Sequence, residues 1–107
     1  IWHQGVARKP GTGPFPEAPS DSPSGLSLTG KPFAEQPSEA EVLDMAQAYA
    51  DAAADAVKLG FDMVELHGAH AYLIDAFLWE RTNQRTDRFG GSIEKRAEFA
   101  GECIRRC

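Results

Sequence analysis

No apolar run in this sequence is long enough to span a bilayer, which argues against a membrane-crossing helix. Basic charge is also short. With 11 basic and 16 acidic side chains the net charge is -5, and no basic run occurs. That balance argues against nucleic acid or an anionic membrane as a partner. Cysteine is scarce. Cys103 and Cys107 are spaced i, i+4 on an expected helix, with no further metal ligands near them. Helical neighbours this close rarely orient for a disulfide, so both are read as buried or idle thiols of a cytoplasmic protein. The opening Ile1-Trp2-His3-Gln4 has no signal-peptide pattern. It also lacks an initiating Met and starts in mid-pattern, so a fragment is expected. What remains is ordinary globular composition, 42% hydrophobic and 25% charged in 107 residues, enough for one small domain.

Taken in order, Ile1 to Gln4 read as the tail of a strand that Gly5 ends. From Val6 to Gln36 the chain is rich in Gly, Pro and Ser and has neither helical nor strand period. A connection of that length is either a functional lid or a solvated link, with room for a short hairpin over Leu26 to Phe33. Ser38 and Glu41 have capping-box spacing and open a helix. Its apolar stripe is Val42, Met45, Ala46, Tyr49, Ala53, Ala56 and Val57, over about 21 residues. Gly60 suits the position just past the helix end. A strand over Asp62 to Leu66 follows. Strand, helix and strand make a crossover of parallel α/β type. Leu73 to Leu78 reads as a helical turn, and Glu80 to Gly91 as a polar loop braced by Arg–Asp pairs. Ser92 caps a last helix whose expected buried stripe is Ile93, Ala97, Ala100 and Ile104.

The chemistry gathers at the end of the second strand. Side chains alternate along a strand, so Met63, Glu65 and His67 share a face. Gly68 permits a sharp turn, which can bring His70 and Tyr72 to the space His67 faces. In parallel α/β folds, catalytic groups sit where strands end and loops begin. Glu65 reads as a structural carboxylate, Arg85 and Asp87 as loop braces, and Trp2 as either a pocket or a packing residue.

Three runs carry a resemblance: Ile1-Trp2-His3-Gln4-Gly5; His67-Gly68-Ala69-His70-Ala71-Tyr72-Leu73; and Asn83-Gln84-Arg85-Thr86-Asp87-Arg88-Phe89-Gly90-Gly91-Ser92. Together they closely resemble the Old Yellow Enzyme family of FMN-dependent NAD(P)H:flavin oxidoreductases, across essentially the whole chain. Ala71 stands where many members have Gly. The resemblance implies an α/β fold, part of a TIM (β/α)8 barrel from the end of strand 3 through helix 4. Residues 1–107 would then be a fragment of a single FMN-binding barrel domain. A whole barrel needs about 250 residues.

For the full-length parent, the resemblance implies reduction of activated C=C bonds, as in enones, with FMN and NAD(P)H as cofactors. His67 and His70 would bind the substrate oxygen and Tyr72 would give the proton. Gly68, Ala69 and Trp2 would line the substrate site, and His67 would also touch the cofactor. The fragment alone is expected to be inactive. A competing reading is a metal-dependent hydrolase using Glu65, His67 and His70. Helical metal-binding His pairs usually stand at i and i+4, whereas these stand at i and i+3 across a turn.

Overall fold

A computed structural model describes residues 20–107. Four helices order the described chain: α1 over Glu39–Lys58, α2 over Leu73–Leu78, α3 over Ile93–Arg96 and α4 over Glu98–Arg106. The start of α1 follows from its first residues. The Ser38 hydroxyl accepts from the Glu41 amide at 3.2 Å, and the Glu41 carboxylate accepts from the Ser38 amide at 2.7 Å. Two of the amides that a helix start leaves unpaired are thereby satisfied. The end is equally determined. Gly60 has φ 91, the Phe61 amide reaches the Ala56 carbonyl at 3.1 Å, and the Gly60 amide reaches Val57 at 3.0 Å. Those paired bonds are a Schellman close, and a left-handed residue there favours glycine.

The core is helix on helix. Val42 and Ala46 of α1 share one buried cluster with Leu73, Ile74 and Phe77 of α2 and with Phe89, Phe99 and Cys103, and α4 packs against both α1 and α2. Phe77 and Phe99 stack with ring centroids 4.1 Å apart, and Phe89 meets Phe77 edge-on at 6.4 Å. These contacts explain why α2 survives at six residues. A helix this short is unstable alone and is held by burial of its apolar side.

Two expectations are corrected here. Among the described residues there is no strand beyond isolated bridges. Asp62 to Leu66 makes no ladder, because a parallel strand needs a neighbour. The neighbour expected for it, Ile1 to Gln4, lies outside the described residues. The last helix is also split at Ala97, and its buried side is only partly the expected one, with Ala100 packed against the core. Ile93 and Ile104 are 52% and 67% exposed, while Phe99 and Cys103 are fully buried. Phe99 has the largest apolar area on α4 and takes the face toward α1. In α1 the stripe holds for Val42, Ala46 and Ala53, but Val57 is exposed. Burial pushes the Cys103 thiol up to about 11, with Cys107 adding to the effect, so Cys103 is unreactive. Cys107 is free and exposed.

The hairpin expected near Leu26 is present as one antiparallel bridge, Leu26 to Pro32. The polar loop after α2 anchors this region. Arg85 is buried. Its Nη1 donates to the Pro23 carbonyl at 2.8 Å and the Pro37 carbonyl at 2.6 Å. Its Nε and Nη2 grip the Asp87 carboxylate. Asn83 Nδ2 donates to the carbonyls of Phe77 and Phe89, both at 2.7 Å. Gly90 lies so close beneath that a Cβ would strike the Arg85 carbonyl. The brace role read for Arg85 and Asp87 is therefore what the structure shows.

Replacing Arg85 by Met is expected to lower unfolding stability by about 3 kcal/mol, since it strands two carbonyls and a carboxylate. Urea unfolding of the full-length protein measures this. Burial pushes the Asp87 carboxyl up, but hydrogen bonds from Arg85 and from the Phe89 amide outweigh it and hold the group below its ordinary value. The Asp87 contribution is therefore full above about pH 4 and is lost as pH falls through the depressed value. The difference between wild type and Asp87→Asn should narrow over that acid range.

Candidate active site

The chain leaves α1 through Gly60, runs through exposed Phe61 to Glu65, and turns at residues 67–72 into α2. The turn closes three rings on one another. His67 Nε2 and His70 Nδ1 lie 3.2 Å apart, with ring centroids at 5.1 Å. The Tyr72 ring meets His67 edge-on at 4.9 Å. Both imidazoles are exposed, and Tyr72 is 38% exposed. The His-His-Tyr group expected from the motif is thus brought together. Gly68 and Ala69 lie in the same exposed turn. Trp2 lies outside the described residues.

The turn is built differently from the expectation. Gly68 is not left-handed, and a Cβ there would meet only Ile74 Cγ2, at the ordinary distance of 3.4 Å. The left-handed residues are His70, φ 57, and Ala71, φ 59. Each costs about 1–2 kcal/mol for a residue with a Cβ. Asp75, in the first turn of α2, accepts the Ala71 amide on Oδ2 at 2.7 Å. Sequence reading passed over Asp75. Its signal was an acidic residue one helical turn after the motif's non-glycine turn position.

The arrangement suits an oxygen acceptor better than a metal. Among the described residues, no group of three or more His, Cys, Asp or Glu side chains could hold a metal ion. Glu65 is exposed. The hydrolase reading through Glu65, His67 and His70 therefore loses its metal centre. Two convergent imidazole nitrogens and a phenol instead present groups able to hydrogen-bond an oxygen on an exposed surface.

The sequence profile of the NADH:flavin oxidoreductase / NADH oxidase family matches residues 1–107. The chain belongs to that family. Against the flavin oxidoreductase hxnT of Emericella nidulans, the chain is 43% identical, over 97% of its own length and 29% of the relative's. Against 12-oxophytodienoate reductase 2 of Arabidopsis thaliana it is 37% identical, over 97% of the chain and 30% of the relative. The chain thus spans less than a third of the length of these curated relatives. Among solved structures, morphinone reductase matches at a TM-score of 0.70 and 35% identity, covering 79% of this chain and 27% of that one. These matches bear out the Old Yellow Enzyme resemblance. The family uses FMN with NADH or NADPH. Among the described residues, no helix is long and apolar enough to cross a membrane.

Proposed function

We propose that this chain is the part of a flavin-dependent (β/α)8 barrel that carries its substrate-activating groups. It would run from the end of strand 3 through helix 4, within a single domain that reduces activated C=C bonds with NAD(P)H. The observation that carries this reading is the convergence of His67 Nε2 and His70 Nδ1 beside the Tyr72 ring. Family membership and the reductase names of its relatives support the reaction class. The exposed Val57, Leu59, Phe61, Met63 and Val64 support the barrel, since they are the surface its remaining elements would cover. On this reading the 107-residue chain alone closes no barrel and has no activity, and catalysis belongs to the full-length protein. Its free cysteines fit a reducing, cytoplasmic setting.

The donor set fits FMN as well as substrate. His67, whose ring is exposed, is the residue of this chain that would touch it. When bound, FMN would supply the hydride chemistry that links NAD(P)H to the β-carbon of the substrate. His67 and His70 then hold the substrate oxygen as charge builds on it. Their facing nitrogens share at most one proton when they pair with each other. An oxyanion between them takes a bond from each only when both carry hydrogen, which opposite neutral tautomers provide. Gly68 and Ala69, in the same turn, would shape the floor of this site. Tyr72 is the phenol O–H donor that gives its proton to the α-carbon. Solvent returns that proton, so the product has gained one hydride and one proton.

The test is direct. The full-length protein should bind FMN, lose its yellow absorbance with NAD(P)H under anaerobic conditions, and regain it when an enone such as cyclohexenone is added. A protein that binds no flavin, or whose reduced flavin is indifferent to enones, would overturn the reading.

A further inference from the structure

We propose that Asp75 is a positioning residue of this site: its carboxylate fixes the left-handed His70–Ala71 pair and thereby sets the His70 ring against His67. The inference rests on the function proposed above and extends it to a group outside the motif. Two consecutive left-handed residues with Cβ atoms are strained, and such strain persists only where surrounding structure imposes it. Among the bonds that hold it are three at this turn. The Ala71 amide donates to Asp75 Oδ2 at 2.7 Å, the Tyr72 amide to the Ala69 carbonyl at 3.1 Å, and the Ala76 amide to the Tyr72 carbonyl at 2.8 Å. Only the first is made by a side chain, and it is the charge-assisted one.

Asp75 is itself well anchored. It is half-buried, and its neighbours Leu73, Ile74, Ala76 and Phe77 are all buried. The carboxylate therefore ties the strained turn to the helical core. Without it, the Ala71 amide loses this charge-assisted acceptor and the left-handed pair loses its tether to the side chain of α2, which favours relaxation toward right-handed φ. The His70 ring would then leave the 3.2 Å approach to His67 that two-point binding of an oxygen requires. Ala71 sharpens the point, because a glycine at that position would hold the same φ with little strain.

The experiment uses the full-length flavoprotein and 4-hydroxybenzaldehyde, a phenol whose oxyanion mimics the charged substrate oxygen. Binding is followed by the flavin absorbance change, with FMN content and urea unfolding measured alongside. Asp75→Ala should weaken phenol binding about tenfold, as expected for a lost charge-assisted bond, and leave FMN content unchanged. Asp75→Asn keeps a neutral acceptor and should cost about threefold, which also covers the case in which Asp75→Ala does not fold. Adding Ala71→Gly to either variant should restore most of the loss, a rescue that a merely structural role for Asp75 does not predict. Wild-type phenol affinity in both Asp75 variants would overturn the proposal, as would a loss that Ala71→Gly leaves untouched. A wild-type flavoprotein that fails to bind the phenol would instead overturn the function proposed for the whole site.

Discussion

Tyr72→Phe in the full-length protein is expected to slow reduction of an enone by the pre-reduced enzyme about 10²–10⁴-fold. Reduction of the enzyme by NAD(P)H should keep its rate. Phe retains the ring and its edge-on contact with His67, at 4.9 Å in the native residue. The fold and the histidine pair should therefore survive. The substitution removes only the hydroxyl, and with it the proton for the α-carbon. Hydride transfer from the nicotinamide needs no such proton. Stopped-flow absorbance measures the two half-reactions separately. Equal slowing of both would mean that Tyr72 shapes the pocket, and no slowing of either would mean that the acid is another group.

The second large effect is expected at the histidines. His67→Ala and His70→Ala should each lower the rate of enone reduction about 10²–10³-fold, the usual consequence of losing one preorganised donor to developing negative charge. Phenol affinity should fall with it. The two losses should not add. Once one nitrogen of the 3.2 Å pair is gone, the two-point grip no longer exists for the second substitution to remove. Unchanged turnover and unchanged phenol affinity in both single variants would remove the oxyanion role. A full additive loss would mean that the two rings act at separate places.

Much of this was legible in the residues, for local reasons. Ser38, Glu41 and Gly60 encode both ends of α1 through bonds that reach no more than five residues along the chain. The His67, His70 and Tyr72 cluster was legible because a tight turn compresses a short stretch of sequence into one place. What could not be read depends on groups farther away. The Asp62–Leu66 segment follows a helix-closing glycine, the place where a crossover delivers its next strand, yet local sequence supplies no ladder partner. The buried side of α4 turned on Phe99 stacking with Phe77, a residue 22 positions earlier. Gly68 drew attention as the flexible residue, but the left-handed backbone falls on His70 and Ala71, whose cost is hidden until φ is known. Arg85 was read as a brace to Asp87. Its longer bonds, to Pro23 and Pro37, span 62 and 48 residues and follow no sequence period.

The central claim is that His67 and His70 jointly hold the substrate oxygen, and a crystal structure of the full-length flavoprotein with bound 4-hydroxybenzaldehyde measures it most directly. The account predicts the phenol oxygen about 2.7–3.1 Å from both His67 Nε2 and His70 Nδ1. A phenol oxygen bonded to neither nitrogen, with the two rings still closed on each other at 3.2 Å, would contradict it.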